Sequence, residues 1–171
     1  MASYEREMLV AARILLVRSP NSRGRLPDAR VRRSISTTYY ALFHFLIEEA
    51  GKRLVGADNF LRSRRRILAR NFTHSGLKTT FAKIRGQTID QSVEGFLRGA
   101  NAGPGRIAAP PFARSFASAF LDAHSKREDA DYDRNEFLTA ADADILIKRV
   151  EAAVQDWNAA TDPPASTPCI C

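Results

Sequence analysis

Apolar residues recur along this chain at steps of three and four, the period of a helix. Nowhere do they alternate over more than a few positions, as a half-buried strand requires. Leu9, Ala12, Ile14, Leu16 and Val17 predict a first helix over residues 3–18, ended by the turn residues and proline of 19–24. Pro27 and Asp28 mark the next start, Asp28 as a capping residue. The helix that follows carries Ile35, Tyr39, Leu42, Phe43, Leu46 and Ala50 on one face, with Gly51 as its stop and Lys52 and Arg53 at the negative end of its dipole. Ser36, Tyr40, His44 and Ile47 form a second stripe on a neighbouring face, so this helix reads as the centre of a bundle.

A third helix is predicted over 59–71, capped by Asn59 and built on Phe60, Leu61, Ile67 and Leu68. A turn at 72–76 leads into a short helix over 77–84. The segment 88–111 is read as two helical turns on Ile89, Val93, Phe96 and Leu97, then a loop from Gly99 to Gly105. Phe112, Phe116, Phe120 and Ala123 predict a helix that ends near Arg127, followed by a polar loop to Asn135. Thr139 caps the last helix together with Asp142, and Leu146, Val150, Val154 and Trp157 form its buried stripe. The fold class is all-α, an antiparallel bundle of four to five helices over residues 1–158, with a disordered Pro-rich tail over 159–171.

Composition sharpens this outline at two points. Hydrophobic residues make up 44% of 171, enough for one globular core. No apolar run reaches the length needed to span a bilayer, and Glu5 and Glu7 stand where a signal peptide is basic and then apolar. A soluble, cytoplasmic protein with no membrane association is expected. The net charge of +7 is unevenly spread. Between Asn59 and Ile89 there is no acid, and Arg62, Arg64, Arg65, Arg66, Arg70, Lys78, Lys83 and Arg85 sum to +8. Such a block attracts polyanions such as RNA; a solvated arginine-rich helix face is the other reading. Cys169 and Cys171 lie in the tail, so disulfides do not organise the fold. Three histidines without metal-ligand spacing predict no metal site, and no cofactor motif is present.

Three stretches carry a family resemblance. Ser36, Tyr39, Tyr40, Ala41, Phe43 and His44 form a Ser-x-x-Tyr-Tyr-Ala-x-Phe-His helix, His74 and Gly76 a His-x-Gly with Phe81 after it, and Arg127 to Tyr132 an Arg-x-x-Ala-Asp-Tyr. In this order they resemble HEPN domains of the Arg-x-x-Ala-Asp-Tyr type, over residues 5 to 158. The resemblance implies a helical bundle, commonly dimeric, linked to RNA or nucleotides. In active members an Arg and a His with four to six residues between them cleave RNA without metal.

Arg70 and His74 are the candidate catalytic pair. A histidine can take the 2′-hydroxyl proton and a guanidinium can hold the phosphate. Here only three residues separate them and they sit mid-chain, so the family pattern is departed from, and a capping or packing role is the alternative. Arg127, Asp131 and Tyr132 are candidate binding residues, with a structural network at a helix end as the competing role. Arg64, Arg65 and Arg66 are the candidate polyanion contacts. Tyr40 and His44 are read as facing a cleft or a second subunit, and His124 as a surface residue. Enzymatic activity is open on this reading. The expected role is an RNA- or nucleotide-linked accessory or toxin-like component of a bacterial defence or toxin–antitoxin module, as a homodimer. The alternative is a non-catalytic interaction module pairing with a nucleotidyltransferase-like partner protein.

Overall fold

The computed structural model describes residues 3–18, 24–86 and 108–161, and these are all-helical, with six α-helices and no strand among them. They are α1 (Tyr4–Leu16), α2 (Asp28–Val55), α3 (Arg62–Ala69), α4 (His74–Arg85), α5 (Pro111–Tyr132) and α6 (Ala140–Thr161), with a 3-10 turn at Asn59–Leu61 before α3. None is long and apolar enough to cross a membrane. The expected turns and loop within 88–107, and the tail beyond Thr161, lie outside the described residues.

The 28-residue α2 is the axis of the molecule and packs against α1, α3, α5 and α6. Of its predicted core stripe, Ile35, Tyr39, Leu42, Phe43 and Leu46 are buried, and Ala50, near its end, is half-buried. Against it α5 lays Phe116 and Phe120, both fully buried. Phe45 meets Phe116 and Tyr39 meets Phe120, so the two helices run in opposite directions. Phe81 of α4 stacks on Phe120 at 4.7 Å between ring centres, and Trp157 of α6 meets Phe116 at 4.9 Å. One aromatic column therefore joins α6, α5, α4 and α2.

Two buried hydroxyls of α2 find backbone acceptors. Ser34 donates to the Ala12 carbonyl of α1 at 2.9 Å, and Thr38 donates back to the Ser34 carbonyl at 2.8 Å. Near the start of α2 two arginines cap other helices. Arg30 donates to the carbonyls of Ile14 and Val17 at the end of α1. Arg32 donates to the carbonyls of Asp129, Ala130, Asp133 and Glu136, at 2.7 to 3.2 Å, and so holds the end of α5. Helix ends leave four carbonyls without helical partners, and these guanidiniums supply donors.

Several helix ends differ from expectation. Gly51 does not stop α2; it lies inside the helix, where the Arg65 side chain crosses its bare Cα, and a Cβ there would meet Arg65 at 3.3 Å. The stop is Gly56, whose φ of +114° suits only glycine. Asn59 does not cap α3 but enters the 3-10 turn. The polar run after Arg127 does not leave the helix at once: α5 continues to Tyr132 because Arg32 holds its last carbonyls. At the last helix, Thr139 and Asp142 form the expected reciprocal cap, with Thr139 N donating to Asp142 at 2.9 Å and Asp142 N to Thr139 Oγ1 at 3.1 Å. The helix passes residue 158 and ends at Thr161.

These assignments give a graded set of stabilities, measurable by urea denaturation. Phe120→Ala removes the centre of the aromatic column and should cost about 3–5 kcal/mol. Thr139→Ala should cost about 1 kcal/mol through the cap. Phe60→Ala, at a side chain 80% exposed, should change stability by less than about 0.5 kcal/mol. A large loss at Phe60, or a small one at Phe120, would contradict this packing.

Candidate functional site

The last two turns of α5 and the first turn of α4 meet over the middle of α2. Thr73 sets this meeting. Its hydroxyl accepts from Gly76 N at 3.1 Å and caps α4, so His74 becomes the first helical residue rather than part of a turn. That places the His74 ring against Phe43, with centres 4.2 Å apart, and its Nδ1 2.5 Å from the Tyr39 hydroxyl. The Tyr40 ring approaches edge-on at 6.0 Å.

From α5, Arg127 reaches the same patch. Its Nη2 lies 3.3 Å from the Tyr40 hydroxyl and 3.4 Å from that of Tyr132, and donates to both. Its Nε sits 2.6 Å from the Asp131 carboxylate, off-line for a hydrogen bond, so that contact is an ion pair. Ser36, buried on α2, donates to the other Asp131 oxygen and anchors the carboxylate. The guanidinium also lies 5.2 to 6.0 Å from the ring centres of Tyr132, Tyr40 and Tyr39. Its Nη1 makes no hydrogen bond to the described residues, and Tyr132 stands 73% exposed beside it.

His124 lies beneath. It is not a surface residue: it is 4% exposed, edge-on to the Tyr39 ring at 5.6 Å, with Nδ1 3.2 Å from Glu128. Glu128 also receives Lys78 of α4 at 3.0 Å, so this trio ties α4 to α5.

Burial governs protonation here. It pushes the His74 pKa down, with the Arg127 charge acting in the same direction. It pushes the His124 pKa down against the opposing pull of Glu128, and raises that of the Tyr39 phenol. Arg127 loses some basicity to burial, yet ends above its ordinary value through Tyr40 and Asp131. A neutral phenol and a neutral imidazole therefore face one another. The hydrogen bond between the Tyr39 hydroxyl and Nδ1 takes its direction from the His74 tautomer; when Tyr39 donates, the ring proton of His74 sits on Nε2. In that tautomer His74 offers a hydrogen-bond donor and no free basic nitrogen.

The structure thus brings His74 and Arg127 onto the same two tyrosines, Tyr39 and Tyr40. Arg70 is the exposed C-cap of α3, and no hydrogen bond or ion pair joins it to His74. The α2 stripe also divides. Ser36 faces inward to Asp131, Tyr40 is half-buried under Arg127, and His44 is exposed with its ring on Tyr4 of α1 at 5.2 Å. Among the three candidate arginines of α3, Arg64 and Arg66 are exposed, whereas Arg65 donates to the carbonyls of Gly56 and Asp58 at 2.6 and 2.9 Å. Tyr39, His124, Glu128 and Lys78 escaped the sequence reading as site residues. The signal for two of them was present: His124 and Glu128 are four apart and flank Arg127, one helical face once the helix is known to continue. Among the described residues no group of three or more His, Cys, Asp or Glu is arranged to hold a metal ion.

Comparison of the chain with family models, curated proteins and solved structures finds no match.

His74 and His124 have pKa values below the ordinary 6.5 for the same first reason, burial. An unfolded chain takes up their protons near pH 6.5 while the folded one does not, so stability is complete above that pH and is lost as pH falls below it. Urea midpoints should therefore drop between pH 7.5 and 5.5, and His124→Asn should lessen the drop. Midpoints that stay level across that interval would refute the assignment.

Proposed function

We propose that the protein is a HEPN-like antiparallel bundle acting as an RNA- or nucleotide-linked accessory or toxin-like component of a bacterial defence or toxin–antitoxin module. The observation that supports this most is the joining of His74 and Arg127 over Tyr39 and Tyr40, from stretches distant in sequence. Arg127 supplies a fixed charge with Nη1 open. Tyr132 supplies an exposed ring on which a base can stack, an interaction worth about 1–3 kcal/mol. His74, neutral with Nε2 protonated, donates to a phosphate oxygen. Arg64 and Arg66 extend the positive surface along α3. This arrangement suits a grip on phosphate; when Tyr39 donates to Nδ1 and the proton sits on Nε2, His74 has no nitrogen free to take a 2′-hydroxyl proton.

A second reading is a non-catalytic module pairing with a second copy or a nucleotidyltransferase-like protein. Val10, Ile14 and Val17, spaced four and three apart and each more than half exposed, favour it.

Anisotropy with labelled single-stranded RNA tests the first reading. Binding should weaken with salt, and Arg64→Ala with Arg66→Ala should reduce the log–log slope by about 0.7 for each phosphate no longer neutralised. Arg65 is left in place because its guanidinium holds the chain at Gly56. Arg127→Ala should weaken binding at every salt concentration, and RNA held in EDTA should stay intact. Unchanged binding in both variants sinks the RNA reading; cleavage abolished by both His74→Ala and Arg127→Ala makes the protein a ribonuclease. Light scattering tests the second reading: twice the monomer mass, reverting to the monomer in Ile14→Asp, assigns the α1 stripe to a homodimer. A wild-type monomer at micromolar concentration removes that dimer.

A further inference from the structure

The opposite ends of α4 and α5 form a different cleft. It has a volume of about 490 Å³ and is lined by Arg85 from the end of α4, Arg114, Ser115 and Ser118 from the first turns of α5, and Arg149 from α6. Along the helix axes it lies about 16 to 20 Å from His74 and Arg127, from a rise of 1.5 Å per residue. It is independent of the site described above.

The charges in this cleft are not balanced among the described residues. Arg149 pairs with Asp122 and donates to Ser118 Oγ at 3.3 Å. Arg85 and Arg114 have no ion pair or hydrogen bond to the described residues, and the Arg114 Nε is buried without an acceptor. A buried donor left unmade is costly, and a charged one more so. The backbone adds to the imbalance. α5 starts at Pro111 with no side-chain cap and no acid in its first turn, so the positive end of a 22-residue helix opens beside the guanidiniums. Ala119, Ala152 and Ala153 give the rest of the wall an apolar surface.

We infer that this cleft binds a small phosphorylated molecule, of mononucleotide size or less. Arg114 and Arg85 grip the phosphate in fork geometry, the free N–H groups of the first turn of α5 and the Ser115 hydroxyl complete its donors, and the alanine wall takes the organic part. The size follows from the volume, which exceeds what a bare phosphate fills and falls within the range of small-molecule sites.

Isothermal titration of the full chain with AMP, inorganic phosphate, sulfate and adenosine tests this. AMP should bind more tightly than phosphate, and phosphate more tightly than sulfate, with no heat from adenosine. Arg114→Ala should weaken AMP binding at least tenfold. Arg85→Ala, at an exposed side chain, should weaken it with an unchanged melting temperature, which separates a weakened grip on the ligand from a weakened fold. The inference is overturned by adenosine binding as well as AMP, by sulfate matching AMP as an adventitious anion would, or by AMP affinity of wild-type strength in both variants. The absence of AMP binding up to millimolar concentration overturns it too.

Discussion

A helix enclosed by its neighbours must have its polar groups answered by them, and α2 imposes that condition on the whole molecule. Ser34, Ser36, Thr38 and Tyr39 are all buried on it, and each finds a partner on α1, α4, α5 or its own preceding turn. Arg30 and Arg32 extend the rule to helix ends, since their guanidiniums satisfy the last carbonyls of α1 and α5. Apolar burial supplies most of the cohesion, but it is non-directional. The polar pairs are directional, and they fix which turn of each helix faces which turn of α2.

The candidate site is a by-product of the same condition. Tyr39 belongs to the core stripe, yet its hydroxyl must be met, and His74 meets it. Asp131 is drawn to Ser36 and in turn orients Arg127. The site residues therefore stand on the packed centre of the bundle rather than on loops, which favours a rigid grip over a moving one. The burial that holds them also lowers the His74 pKa, so the imidazole stands neutral near pH 7.

The core faces of α2 and α5 were legible from spacing alone, because Ile35, Tyr39 and Leu42 and Phe116 and Phe120 keep the helical period without interruption, whereas the face expected on Phe60, Leu61, Ile67 and Leu68 fails, since Phe60 and Ile67 are exposed and α3 buries no residue. The reciprocal cap at Thr139 was legible for the same reason, being a local pattern. The site was legible only in its parts. Arg127, Asp131, Tyr132 and His74 stand out as chemistry-bearing residues, but a period says nothing about which helix lies opposite. Proximity in sequence joins His74 to Arg70, whereas the Thr73 cap turns it toward α2. His124 looks exposed as long as the helix is taken to end near it. Gly51 looks like a stop because its role, room for the Arg65 stem, depends on a helix that spacing does not place.

That crossing of Arg65 over Gly51 has a consequence for how the chain can vary. α3 buries none of its own residues; Arg65 arches over α2 and ties it down at two carbonyls. Such an element contributes little to global unfolding and can open alone, as a unit at the low end of the protein's stability range. The exposed arginines of α3 are then free to be lost, gained or rearranged without disturbing the core. The molecule separates into a constrained interior and a basic edge that can be retuned to a new ligand, so long as a small residue stays at 51 and an arching side chain at 65.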